Sequence, residues 1–195
     1  WVWIKDRGQS GHDNCLADTV RAAPNLLVSN SSVAQITDSS DGFTAFTSSG
    51  FTLGDNGTGT QSLELNKSGN TFVSWNWAAG GSASSNSDGS VSSSVSANAT
   101  SGFSIVTWTG TGATATIGHG LGAAPKMIII KSVTGASGWR VYHDGIGATK
   151  ALVLETTAAA DTATDYFNDT APTSSVFTVK ANSTNDNTAT MIAYC

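Results

Sequence analysis

The chain has 195 residues, with 9 Lys and Arg against 14 Asp and Glu, a formal net charge of −5 at pH 7. That balance argues against a polyanion-binding role, so neither nucleic acid nor an anionic membrane surface is expected as a partner. Charged residues make up only 12%, about half the ~25% usual in globular domains. Six Trp and seven Phe nevertheless recur through the chain, which excludes a disordered polar tract and predicts an ordered protein with a hydroxyl-rich surface.

Taken in chain order, almost every element reads as β: short apolar or alternating runs bounded by Gly, Asn, Asp and Ser. The first part offers runs at 1–5, 26–29, 43–47, 51–53, 62–65 and 72–77. Trp1 and Trp3, and Trp75 and Trp77, are each two apart, so within each pair the rings share one face of a strand. Residues 82–101 contain ten serines and follow Gly80-Gly81, a composition that predicts a flexible or extended linker; an exposed Ser/Thr-rich strand is the alternative. The second part offers runs at 104–108, 113–117, 126–131, 138–142, 151–155, 176–180 and 190–195. Thr107-Trp108-Thr109 alternates, as a half-buried strand should. The run 127–130 does not, which predicts a central strand covered on both faces. Only 158–164 suggests a turn of helix, and no apolar run approaches the ~20 residues of a membrane span.

The chain also says much the same thing twice. Residues 1–30 parallel 127–156 at a constant offset of 126, with Trp1-Val2-Trp3-Ile4-Lys5 against Met127-Ile128-Ile129-Ile130-Lys131 and Asp18 against Asp144. Phe51-Thr52-Leu53 echoes Phe177-Thr178-Val179. Thr71-Phe72-Val73-Ser74-Trp75 echoes Thr190-Met191-Ile192-Ala193-Tyr194 at an offset of 119. Such duplication favours a modular, array-building protein. The expected fold is therefore all-β, with two tandem related β-sandwich units of lectin-like or jelly-roll type. Residues 1–79 form the first unit, 80–102 a Ser/Gly-rich linker and 103–195 the second unit. The first unit lacks a counterpart of the hairpin at 103–126 and opens mid-strand on Trp1, which reads as the limit of a fragment. The paired tryptophans could stack on sugars, but the aliphatic counterparts of Trp1 and Trp3 favour core packing.

One series of residues carries a resemblance. Gly102-Phe103-Ser104-Ile105-Val106-Thr107-Trp108-Thr109-Gly110 is followed by Ile117-Gly118-His119-Gly120-Leu121-Gly122 and by Pro125-Lys126-Met127-Ile128-Ile129-Ile130-Lys131. Gly138-Trp139-Arg140-Val141-Tyr142-His143 and Phe167-Asn168-Asp169-Thr170-Ala171-Pro172 complete it. The series resembles the repeated β modules of virion structural and tail-fibre-like proteins of tailed bacteriophages, over nearly the whole chain. The resemblance implies a non-enzymatic structural or adhesion module on the surface of a virion. It implies a homo-oligomer, in particular a trimer of identical subunits, together with other virion proteins and a host surface glycan as partners. A carbohydrate-binding module and a self-assembling filament subunit are the alternative readings.

No catalytic residue, metal ligand or cofactor site is expected from the residues themselves. His143-Asp144 could pair a base with an orienting carboxylate, but strand neighbours point to opposite faces. The Asp reads as a turn residue bonding the backbone. His119, between glycines, has no acidic or Cys partner nearby and reads as part of a turn. Asp55-Asn56-Gly57-Thr58-Gly59 and the loop 182–186 each hold one carboxylate, too few for calcium. No pair of carboxylates is committed to sugar hydrolysis. Cys15 and Cys195 read as buried thiols, with a disulfide open as the other reading. The expected contact surface is Trp139, Arg140, Tyr142 and His143, because the counterpart of Trp139 is Asp13, a surface residue type.

Overall fold

The computed structural model describes residues 1–38, 42–54, 63–162 and 164–195. The fold is all-β. Among the described residues the named strands pair antiparallel, with one isolated parallel bridge between Val91 and Ile117, and the described α-helix is the single turn α1 (Thr164–Phe167). The chain divides into two compact units, Trp1–Ser31 with Gln35–Trp77, and Ser32–Ala34 with Ala78–Cys195. The loop Asp55–Gly59 lies outside the described residues.

The first unit is built on a five-stranded sheet. Its strands are β1 (Val2–Asp6), β2 (Asn14–Ala17), β3 (Asn25–Val28), β4 (Ile36–Thr37) and β7 (Phe72–Asn76), in the order β4-β3-β2-β1-β7. Strands β5 (Phe43–Phe46) and β6 (Phe51–Leu53) form a separate hairpin. Alternation divides the sheet's residues between two faces. Val2, Ile4, Cys15, Ala17, Leu26 and Val28 are buried in one core with Phe43, Leu63 and Leu65. Trp3, Lys5, Asn14 and Trp75 belong to the opposite face, since Trp3 stands across from both Leu16 and Trp75.

A buried ion pair closes the β2–β3 connection. Asp18, fully buried, accepts from the backbone N–H groups of Val20 and Arg21 and from Arg21 Nε at 2.6 Å. Arg21 Nη2 donates in turn to Leu16 O. Here the Asp does bond the backbone of a turn, as its sequence context predicts. Asp18→Asn keeps the shape and removes the charge that strengthens these bonds; urea unfolding should show a loss of about 2 kcal/mol. Asp144, its partner in the sequence alignment, is exposed and pairs with Lys126 at the surface.

The second unit is built on a seven-stranded sheet in the order β14-β13-β12-β16-β10-β9-β8. These are β8 (Ser84–Asn86), β9 (Ser93–Asn98), β10 (Phe103–Thr109), β12 (Met127–Ser132), β13 (Arg140–His143), β14 (Leu152–Val153) and β16 (Thr190–Tyr194). Strands β11 (Ala115–Gly118) and β15 (Val176–Val179) pair separately. As its unbroken apolar run predicts, β12 lies between β13 and β16, and Ile128 to Ser132 are all buried. The core gathers Val106, Trp108, Ile117, Ile128, Ile130, Phe177, Met191 and Ala193.

The Ser-rich stretch is not a linker. It supplies β8 and β9, which pair with each other and, through β9, with β10. The boundary between the units falls at Trp77/Ala78 instead. Serine is compatible with this packing because its hydroxyl finds partners: Ser93 Oγ donates to Gly118 O (2.9 Å) and Ser96 Oγ to Gly81 O (2.7 Å). Val95 supplies the apolar contact to the core. The glycines are dictated by close approach, since a Cβ on Gly80 would run into the carbonyl of Ala97 and one on Gly89 into that of Thr116.

The strand registers refine the sequence alignment. Trp3 stands opposite Trp75 and Ile129 opposite Tyr194, as the offsets of 126 and 119 require. The next hairpin departs from this. Trp3 pairs with Leu16, but Ile129 pairs with Val141 and Ile128 with Tyr142. Leu16 therefore takes the place of Val141, and Ala17 that of Tyr142, at an offset of 125. The gapless alignment slips by one residue in the β1–β2 connection, so residues of β2 and β3 aligned at 126 do not occupy matching positions.

Candidate functional site

The four residues expected to form a contact surface do not form one. Trp139 and Tyr142 are buried, at 0% and 2% exposure. The Trp139 backbone N–H is held by Glu155 Oε2 at 3.1 Å, and the Tyr142 ring packs edge-on to Phe167. Arg140 is half-buried, with its guanidinium 4.6 Å from the centre of the Tyr166 ring. His143 is exposed, but its Nδ1 accepts the Gly145 N–H at 3.0 Å, while the Asp144 carboxylate turns to Lys126. Tyr142 is covered because its side of β13 faces the core of the second unit, where it packs with Phe167, Ile128 and Ala151 among others. Corrected for the one-residue slip, the counterpart of Trp139 is Asn14, which is polar and half-buried, so residue type at the matching position did not foretell the burial of Trp139.

The tryptophans at the edge of the first unit behave in the opposite way. Core packing holds for Trp1, which is 7% exposed, but Trp75 and Trp77 are 45% and 40% exposed. β7 is the outermost strand of its sheet, so nothing within that sheet covers its far side. Trp3 and Trp75 are cross-strand partners with ring centres 5.9 Å apart, and Trp1 and Trp77 lie 4.7 Å apart. Trp3, Trp75 and Trp77, with Lys5 and Asn14, line a cleft of about 400 Å³.

Hydrogen bonds fix this cleft from behind. Trp3 Nε1 donates to Ser29 Oγ (3.1 Å), which donates to Asn14 O (3.2 Å). Asn14 N donates to Asn30 Oδ1, and Asn30 Nδ2 to Asp13 Oδ1. Lys5 Nζ donates to Asn14 Oδ1 at 2.9 Å. The result is a set of aromatic faces beside an ammonium and an amide whose positions are set before any ligand arrives. This arrangement suits a ligand with apolar C–H faces and a hydroxyl periphery. Among the described residues those lining the cleft offer stacking and hydrogen bonding. The two Trp-x-Trp pairs were visible in the sequence; what hid the site was that β7 would be an edge.

Other titratable groups have structural occupations. His119 is fully buried; its Nδ1 accepts the Leu121 N–H and its Nε2 lies 3.2 Å from Thr173 O, which assigns the proton to Nε2. Burial holds its pKa below the usual histidine value. Asp6 is buried and receives Gly8 N, Asn70 Nδ2 and, at 2.7 Å, His12 Nδ1. Although burial pushes its pKa up, these donors bring it below the usual carboxylate range. Among the described residues no three His, Cys, Asp or Glu side chains are placed to hold a metal.

Cys15 and Cys195 are free and buried. Burial pushes both thiols up, Cys195 to about 12 and Cys15 further. The unfolded thiol ionises near ~8.5, so above that pH the unfolded state releases its proton first, and stability falls by about 1.4 kcal/mol per pH unit per thiol. In the second unit Lys131 opposes this. Its ammonium is buried against Ser132 O and Gly135 O, and burial lowers its pKa to about 8. Its contribution to stability therefore rises between about pH 8 and 10.5. In urea unfolding followed from pH 8 to 10, Cys15→Ala should flatten the alkaline loss of the first unit.

The whole chain, residues 1–195, matches the model of a family described as a domain of unknown function, DUF7483. No curated protein matches the chain, and no solved structure does. Among the described residues no helix is long and apolar enough to cross a membrane. The chain thus belongs to the DUF7483 family, whose function the aromatic cleft of this member now gives a place to look for.

Proposed function

We propose that this chain is a non-enzymatic adhesion module that binds carbohydrate through the cleft of Trp3, Trp75 and Trp77. The observation that carries this reading is the exposure of Trp75 and Trp77 beside Lys5 and Asn14. Large apolar side chains at an open surface are disfavoured unless something covers them, and pyranose rings present C–H faces that match indole. The resemblance to phage virion modules supplies the setting: a surface appendage built from identical subunits, with a host surface glycan as ligand. Weak contacts at each cleft would be multiplied by copy number. The matching registers of β1–β7 and β12–β16 support a common origin for the two units.

The test is a glycan array followed by calorimetry on the best binder. Binding that is lost in Trp75→Ala and Trp77→Ala, but retained in Trp139→Ala, supports the assignment. A binder whose affinity ignores Trp75 and Trp77 refutes the cleft as its site.

A further inference from the structure

The polar end of the cleft presents more hydrogen-bond donors than its own residues engage. Lys5 and Asn14 are direct cross-strand partners on the face that carries Trp3 and Trp75. Lys5 Nζ donates to Asn14 Oδ1 at 2.9 Å. An ammonium only donates, so the Asn14 atom turned toward it is the oxygen, and the amide N–H groups point elsewhere. The Asn14 backbone is held at the same time, its N–H by Asn30 Oδ1 and its carbonyl by Ser29 N and Oγ.

The equivalent lysine of the second unit shows this position with its donors filled. At the offset of 126 Lys5 matches Lys131, and the registers agree, since Lys5 stands opposite Val73 as Lys131 does opposite Ile192. Lys131 is fully buried, and its ammonium donates to the carbonyl oxygens of Ser32, Ser132 and Gly135. Every ammonium proton thus has an acceptor within the second unit. Lys5 is exposed and donates to the Asn14 amide oxygen. Among the described residues no ion pair involves it. Its remaining protons, with those of the Asn14 amide, stand ready for an acceptor from outside.

We propose that this end of the cleft reads a sugar carboxylate, so that the ligand is an acidic glycan of the uronic or sialic type and Lys5 sets the preference; this rests on the reading of the cleft as a glycan site. A sugar hydroxyl both donates and accepts, and its donor half finds little use beside Lys5 and the Asn14 amide. An ionised carboxylate only accepts, and its two oxygens can serve the ammonium and the amide together. Bonds of that kind, between ionised groups, are roughly twice as strong as neutral ones. The spacing agrees. Trp3 and Lys5 are two residues apart on one strand, about 6.5 Å, so a ring stacked on indole brings a carboxylate that it carries to the ammonium. One cation in a chain of net charge −5 selects a single carboxylate beside a stacked ring. It does not select a polyanion, whose repeated charges the rest of the surface would repel.

The test is an array of oligosaccharides containing uronic or sialic acid. Each is printed beside the same oligosaccharide with its carboxyl group reduced to a primary alcohol, and calorimetry follows on the pairs that bind. The acid member should bind on the order of tenfold tighter, and the difference should shrink as salt is raised. Lys5→Gln should bring the acid member down to the affinity of its neutral partner, with the neutral member's affinity and the thermal midpoint kept. Lys5→Arg, which keeps the charge, should keep the preference. Trp75→Ala should weaken both members alike. Equal binding of the two members by the unsubstituted chain overturns the proposal and leaves the cleft as a site for neutral glycan. So does a preference for the acid member that survives Lys5→Gln. Binding that ignores Trp75→Ala, or no binding to either member of any pair, removes the glycan reading of the cleft and the role of Lys5 with it.

Discussion

Trp108→Ala should lower the free energy of unfolding by about 3–5 kcal/mol, a large fraction of the ~5–15 kcal/mol typical of a domain. Trp108 is 4% exposed and lies in the core of the second unit, with its ring edge-on to Phe177 at 5.8 Å. Truncation would open a cavity under the centre of the seven-stranded sheet. It would also strand a polar partner: Trp108 Nε1 donates to Oδ1 of Asn185, a fully buried side chain that also receives Thr111 N and donates to Thr111 Oγ1 and Ala113 O. Trp108→Phe keeps most of the volume and loses that bond, so it should cost nearer ~1 kcal/mol. Urea unfolding of the two variants separates the packing contribution from the hydrogen bond. Equal losses would place the Asn185 network, and not the ring, at the centre of the effect.

The pair Trp75→Ala and Trp77→Ala should behave in reverse. Each side chain is nearly half exposed, so truncation should shift stability by no more than about 0.5 kcal/mol. Glycan affinity, by contrast, should fall by about 2 kcal/mol for each, a factor of roughly 30, as for a tryptophan at the centre of a binding surface. The double variant should show no measurable binding. Trp3→Ala should reduce both quantities, since its ring lines the cleft while its Nε1 ties β1 to Ser29. Calorimetry and thermal unfolding on the same preparations give both readouts. Retention of affinity in the double variant would remove the cleft from consideration.

Much of the architecture was legible because it rests on local pattern. Period-two alternation at Thr107-Trp108-Thr109 marked β10, and the unbroken run of 127–130 marked a strand covered on both faces, as β12 is. The repeat offsets of 126 and 119 agree with the equivalent registers of β1–β7 and β12–β16, but which strands pair came only from the structure. The Ser-rich stretch misled because composition reports solubility of side chains and not the pairing of backbones. Ser93 and Ser96 are strand residues because Gly118 O and Gly81 O lie within reach of their hydroxyls.

The candidate site shows the same division. The sequence by itself determined that the protein is all-β, which residues of each strand share a face, and that Trp1 with Trp3 and Trp75 with Trp77 would each present two rings together. It could not decide which of those faces would be covered. Cover depends on what packs on each face: Tyr142 lies in the core against Phe167, whereas Trp75 and Trp77 stand on or beside an outermost strand and remain in the open. Strand order is set by contacts between residues far apart in the chain, which no local period records. Only the tertiary structure could therefore move the site from Trp139, Arg140, Tyr142 and His143 to the edge of the first unit.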